Sequence, residues 1–480
     1  LLHPSARIAR ICYRLSLLPL VLALTLPGPF SLAPSRFPVG IAQIHCESHY
    51  SGITYCLEDG GRIHVVIIDL DDPHIRFEMV MADDATSVET TRRERIEDMV
   101  TRPPYVDQSV VVAINADYFG TDHGPEGLTI KNGHRLDADG GLDDNPHAVW
   151  RSSLAISRLN RVSLGRKTDQ ELAAPRVYRE RFYNAIGGGP LILNYGIVIP
   201  NAISCLLERF PIGACRRRIQ TAAGLSEDGR RLLLAVGEGR DIEGFARLLQ
   251  DYGAFTAIKL DGGGSSQLWY DGRMRYDSDR AVGNALVVLH STTPRHDARF
   301  TGPATVPVAE PGARVEIPFE IHNTGYLDWE PDLGYRFKNV QGWPVLGSAY
   351  ERLPEAVPSG ATLSHSLVLV APRTPGVYES EWQLTRRAEP VGSRLWFPLI
   401  VIPPGLEALA EPIEAQLLRW QRLSNPAAEW PRLRDDLDRQ IWQAAEVQIR
   451  QLAYDSIQGS RLPAEAYLPG WWPAQRPFAW

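Results

Sequence analysis

Three consecutive glycines between two apolar segments, AIKLDGGGSSQLWY (257–270), constrain this chain more than any other stretch. Ala257, Ile258 and Leu260 read as a short strand, and Asp261 stands where it ends. Gly262, Gly263 and Gly264 can take backbone angles closed to other residues and let a ligand approach the main chain. Such a turn converges N–H groups on an anion without a charged side chain. Ser265 and Ser266 add hydroxyl donors. Familiar motifs do not fit. A Gly-Lys-Ser/Thr ending is missing, and Gln267 stands where a dinucleotide fingerprint or a nucleophile elbow needs glycine. The competing reading is a tight hairpin with unused serines.

The chain has 480 residues, enough for about two to four domains. With 22% charged and 44% hydrophobic residues it has a globular balance, and its net charge of −7 argues against a nucleic-acid partner. Arg7, Arg10 and Arg14 precede an apolar run from Leu15 to Leu26, the layout of an export signal. The run is short for a spanning helix, which needs about 20 residues. Pro19 and Pro27 also weigh against a span; an uncleaved membrane tether is the alternative. Both readings place the rest of the chain outside the cytoplasm, secreted or associated with the cell envelope. Cys12 lies in this segment. The other four cysteines fall as two local pairs, Cys46/Cys56 and Cys205/Cys215, expected as disulfides. A zinc site competes, although no Cys-x-x-Cys spacing occurs.

From Ile53 to Val80 the pattern is β, with a turn at Asp71–Pro73, and 87–100 reads as a helix. Val110 to Ile114 form a continuous apolar strand that delivers Asn115, Asp117, Tyr118 and Phe119. A polar Asn-x-Asp after a buried strand is hydrogen-bonded or functional, because burying it unpaired is costly. An Asx turn is the plainer account. Glu126, between Pro125 and Gly127, is a second candidate acid. The acidic segment 137–145 suggests a structural calcium ion, but Gly141 occupies a ligand position and no Glu closes the loop. A solvated acidic turn is the simpler reading, and no cofactor is required. A second triple glycine, Gly187, Gly188 and Gly189, precedes the strand Leu191–Leu193. Arg216, Arg217 and Arg218 precede a strand at Thr221–Leu225, which turns at 227–229 into Arg231–Val236. A helix over 243–252 leads back to the central stretch, and the closing strand in 281–290 carries Asn284.

NADYF (115–119), GPEGL (124–128), IGGGPLI (186–192), QTAAGL (220–225), LDGGGSS (260–266) and VGNALVV (282–288) follow in this order. Together they resemble the phosphodiester glycosidase family, over roughly residues 60–290. That family includes the "uncovering" enzymes that remove N-acetylglucosamine from a sugar-phosphate diester, and bacterial exopolysaccharide-associated members. The resemblance implies an α+β fold with a mixed sheet and the glycine turns lining one pocket. It implies that Asn115, Glu126, Gly188, Thr221, Asp261, Gly263, Ser265 and Asn284 lie in or near the site. The family usually has Arg-Thr where this chain has Gln220-Thr221; Arg218, two residues earlier on the same strand face, is the expected substitute.

These residues suit a sugar-1-phosphodiester. A leaving phosphate needs stabilised negative charge more than a proton, and two glycine turns with one Arg would supply it. The sugar becomes oxocarbenium-like and calls for a carboxylate near the anomeric carbon. Asp261 is the first choice, with Glu126 or Asp117 as base or hydrogen-bond partner.

Four regions are expected: an export signal or tether (1–40), the glycosidase-like domain (41–293), an immunoglobulin-like β-sandwich (294–404) and a helical C-terminal region (405–480). Period-two runs at 315–329, 363–372, 376–384 and 395–403 support the sandwich. Trp329 and Trp382 are expected in its core rather than stacking on a ligand. In the last region Pro426 and Pro431 are expected to separate two helices, and Trp471, Trp472 and Trp480 stand among prolines. The expected function is an exported hydrolase of a sugar phosphodiester in a surface glycan or its precursor. The alternative is a glycan-binding or polysaccharide-assembly protein that retains the pocket.

Overall fold

Short alternating apolar runs joined by tight turns become strands. The computed structural model describes residues 44–58, 60–88, 92–105, 109–120, 124–136, 151–167, 182–216, 219–342 and 350–457. The export segment, the acidic turn at 137–145, Arg217, Arg218 and the Trp-containing tail lie outside them.

Strands β1 (His45–Tyr50), β2 (Ile53–Glu58), β3 (Ile63–Asp69) and β4 (Ile75–Met81) come first. After helix α1 (Ile96–Thr101) follow β5 (Val110–Asn115), β6 (Ile130–Lys131), β7 (His134–Arg135), β8 (Ser153–Ile156) and β9 (Val162–Gly165). Next are β10 (Asn184–Gly187), β11 (Leu191–Asn194), β12 (Ile197–Val198), and helices α2 (Asn201–Leu207) and α3 (Ile212–Cys215). Then come β13 (Ile219–Leu225), β14 (Arg231–Glu238), α4 (Ile242–Asp251), β15 (Thr256–Leu260), β16 (Leu268–Tyr270), β17 (Arg273–Tyr276) and β18 (Asn284–His290).

These strands form three sheets, in the orders β1-β2-β3-β14-β13-β15-β11-β12, β7-β6-β10-β8-β9 and β17-β16-β5-β18-β4. The main core lies between their inner faces: Ile68, Leu234 and Ile258 meet Phe77, Ile114 and Leu286, with Leu154 and Ile186. Phe245 and Leu249 of α4 cover the outer face of the first sheet, and Ile96 and Met99 of α1 that of the third. Asp241 caps α4 by accepting from Gly244 N at 2.9 Å.

The fold is mostly β with few helices. A mixed sheet was expected in this domain, but each strand pairing described between residues 45 and 290 is antiparallel. Hairpins join β2 to β3 and β13 to β14, whereas parallel pairing would need long crossovers. The helix expected over 87–100 is also corrected, to Ile96–Thr101. Glu94 exchanges two backbone bonds with Val282, at 3.0 and 2.9 Å, which holds that stretch extended.

Beyond Thr293 lie β19 (Ala298–Thr301), β20 (Val308–Ala309), β21 (Arg314–Asn323), β22 (Tyr335–Gly342), β23 (Tyr350–Arg352), β24 (Thr362–Val370), β25 (Gly376–Arg386) and β26 (Glu389–Val401). They make a three-stranded and a five-stranded sheet; β20 pairs parallel with β26. Trp329 and Trp382 are buried in their shared core. Helices α5 (Ala410–Gln421) and α6 (Pro426–Ile457) follow, and Ile413, Leu417, Leu437 and Ile441 pack on Val377 and Ile400. Pro426 opens α6, a position where its missing N–H is harmless, and Pro431 lies inside it, so the break falls at 422–425 instead. Arg295 joins the two domains, with Nη2 donating to the carbonyls of Leu70 and Asp72 at 3.2 and 3.1 Å. Among the described residues, no helix is long and apolar enough to cross a membrane.

Candidate active site

The buried ends of β5, β10, β13 and β15 converge. Asn115 closes β5, and its Nδ2 donates to the Asp261 carbonyl at 2.7 Å. Its Oδ1 accepts from Gln267 N at 3.0 Å. Thr221 Oγ1 bridges Asn115 Oδ1 and Ser266 Oγ, at 3.2 and 2.9 Å. Asp261 N donates to Ala116 O at 2.9 Å. Asn115, Thr221 and Ser266 are thus turned toward one another, and together they fix the backbone of Asp261. The Asp261 side chain is 6% exposed, and its carboxylate has no hydrogen-bond partner among the described residues.

Asp117 lies on the other side of Ala116. Its N–H donates to Asn284 Oδ1 at 3.0 Å, and its Oδ2 accepts from Gly127 N at 2.7 Å. Burial pushes its carboxyl up to about 8, against the Gly127 hydrogen bond and the Arg151 charge, which pull it down. Burial thus favours the protonated form of Asp117. Asp117 Oδ1, Asn284 Nδ2 and Ser265 Oγ are buried polar atoms without a partner among the described residues. Glu126 pairs with Arg151 at 2.7 Å, and the Arg151 guanidinium lies 4.5 Å from the Phe210 ring.

The two glycine turns meet at β15. Gly189 N donates to Lys259 O at 2.7 Å, so this amide is not open to an anion. A Cβ on Gly188 would come within 2.9 Å of Lys259 O, and a Cβ on Gly187 would overlap the Asp117 carboxyl. Residues Gly263–Ser265 form a single 3₁₀ turn, with Gly263 at φ +66° and Gly262 against Ile219 O. The first amides of such a turn have no partner within it.

Four charged groups of the site escaped the sequence reading. Lys259 is buried, with Nζ 2.8 Å from both Tyr118 Oη and Leu260 O. A charge within a buried strand was the available signal. Arg280 lies beside Gly264 and 5.3 Å over the Phe119 ring. It stands just before the VGNALVV motif, but nothing in its spacing marks it. Arg151 and Glu208 carry no local signal at all. Glu208 accepts from Ser152 Oγ at 2.6 Å and Leu191 N at 2.8 Å, and burial raises its carboxyl. Gln267, which excluded two motifs, accepts from Ile96 N at 3.1 Å and donates to Arg280 O at 2.7 Å.

Among the described residues, no group of three or more His, Cys, Asp or Glu is arranged to hold a metal ion. Both expected disulfides, Cys46–Cys56 and Cys205–Cys215, are formed. Clefts of about 810 Å³ beside His49 and Arg230, and about 400 Å³ beside Trp396 and Arg434, lie away from the glycine turns.

An antiparallel β domain that gathers buried carboxyl groups and two glycine turns at its strand ends is the class defined here. Residues 108–289 match the phosphodiester glycosidase family model, the family its motifs resemble. Residues 304–401 match the model of the Ig-like domain from next to BRCA1 gene. The next to BRCA1 gene 1 proteins of Pongo abelii and Homo sapiens are each 27% identical to the chain over 111 residues, 23% of its length. The chain spans only 12% and 11% of those proteins. Among solved structures, the zebrafish N-acetylglucosamine-1-phosphodiester alpha-N-acetylglucosaminidase catalytic domain is 20% identical, at TM-score 0.40, over 54% of this chain and 85% of that one. A hypothetical protein from Synechocystis is 17% identical, at TM-score 0.40, over 52% of this chain and 64% of that one.

Proposed function

We propose that the glycosidase-like domain hydrolyses a sugar-1-phosphodiester, with Asp261 facing the anomeric carbon. The observation that carries this reading is Asp261, 6% exposed and with no hydrogen-bond partner for its carboxylate among the described residues, beside a glycine turn. A carboxylate so held stabilises an oxocarbenium-like centre or attacks it. The turn at 262–265 and Arg280 would receive the departing phosphate, a weak base that needs countercharge more than a proton. Protonated Asp117 offers a hydrogen bond, and Glu126, oriented by Arg151, is the base for water. The two disulfides support a place outside the cytoplasm, and a surface glycan or its precursor is the substrate source this suggests.

Release of a chromophore from an aryl N-acetylglucosaminyl phosphodiester tests the proposal. Wild type should turn over, and Asp261→Ala should lose about a thousandfold or more in kcat/KM. Undiminished activity in that variant removes the assignment. A glycan-binding protein that retains the site without turnover is the second reading. It draws on Gln220, which is buried where the family pattern has arginine.

A further inference from the structure

The segment from Tyr195 to Arg216 is built with its apolar side outward. Helix α2 turns Ser204 and Cys205 inward, where Ser204 Oγ donates to Leu191 O at 2.7 Å and Cys205 is bonded to Cys215. Ile203, Leu206 and Leu207, at spacing i, i+3 and i+4, share the opposite face. With Tyr195, Ile197 and Ile212 they are between 44% and 77% exposed. A cluster of this size in one short stretch is more than the scattered apolar residues of an ordinary surface.

Charge says what covers it. Within 195–216 the sequence holds two arginines and one carboxylate, Glu208, a net charge of 2 − 1 = +1 in a chain of net −7. Arg209 and Arg216 are exposed beside the apolar face, whereas Glu208 is buried. Apolar residues flanked by arginines fit the interface of an anionic bilayer, where rings and leucines enter the acyl boundary and guanidinium groups meet the headgroups. We propose that Tyr195–Arg216 docks this protein on an anionic lipid surface.

The same element walls the candidate site. Glu208 accepts from Ser152 and Leu191, Phe210 lies 5.0 Å from the Tyr118 ring, and both crowd Gly189. Docking would therefore bring the site to lipid-borne sugar phosphodiesters, a consequence that rests on the hydrolase reading. The docking itself does not.

The test is hydrogen exchange and co-sedimentation of the full chain with vesicles of equal parts phosphatidylglycerol and phosphatidylcholine, or of phosphatidylcholine alone. Protection of residues 195–212 by the anionic vesicles alone is expected. Binding should weaken about tenfold or more in Leu206→Ser/Leu207→Ser, and severalfold as salt rises from about 0.1 to 0.5 M. Circular dichroism checks that the variant folds. Equal binding by the variant, or no protection at 195–212, overturns the proposal. Protection without vesicles that grows with protein concentration overturns it too and assigns the face to a second copy. The variant should keep wild-type turnover of the soluble aryl diester. Docking without turnover in either protein would remove the hydrolase reading alone.

Discussion

The two triple-glycine turns look alike in sequence and differ in the molecule. At 187–189 glycine is required by crowding: the Asp117 carboxyl, Lys259 O and the Glu208 and Phe210 side chains occupy the space where Cβ atoms would lie. At 262–264 the crowding fades toward the mouth. Gly262 is pressed against Ile219 O, Gly263 needs its positive φ, and a Cβ on Gly264 would meet only the Arg280 side chain, at 3.7 Å. The first turn is the floor of the site and the second is its rim. The same residue repeat serves close packing in one place and leaves space beside the backbone in the other.

Substitution of the floor should have the largest effect. Gly187→Ala is expected to destabilise by about 3 kcal/mol or more, read from urea unfolding, because Asp117 has nowhere to go. A loss below about 1 kcal/mol would break the comparison. Removing the clamp that holds Glu208 and Phe210 against the floor, with Cys205→Ala/Cys215→Ala, should lose about 2–3 kcal/mol under oxidising conditions.

Asp117 sharpens the comparison through pH. Its folded-state pKa of about 8 lies above the ordinary 3.8, so folding favours the protonated form. That contribution is complete below about pH 4 and is lost as pH rises toward 8, with a slope of at most about 1.4 kcal/mol per unit. Asp117→Asn should flatten the stability profile across this window. An unchanged slope would show that the carboxyl is ionised. At the rim, Gly264→Ala should shift stability by no more than about 0.5 kcal/mol. Its Cβ would only touch Arg280, so kcat/KM on the aryl diester should stay within about threefold of wild type.

Much of the fold was legible because local patterns agree with tertiary placement. Val110–Asn115 reads as a buried strand and is one, and Asn132-Gly133 joins β6 to β7 as a turn should. The helix over 87–100 failed because Glu94 finds a pairing partner at Val282, 188 residues away (282 − 94). Arg218 lies outside the described residues, whereas Arg280 borders Gly264. Asp117 was a candidate by position, but the raised pKa of its carboxyl follows from burial beside Gly127 and Gly187, which no spacing encodes.

By itself the sequence determined which strands end in polar residues, which cysteines lie close enough along the chain to pair and which family the motifs resemble. These are properties of neighbours along the chain, set by periodicity and backbone freedom. Only the tertiary structure decided that one glycine turn is packed shut, that Asp261 is nearly buried, that Lys259, Arg151 and Arg280 lie beside it and its neighbours, and that Leu206 faces solvent. Those depend on which distant groups exclude water from one another, and desolvation belongs to the assembled fold rather than to any segment of it.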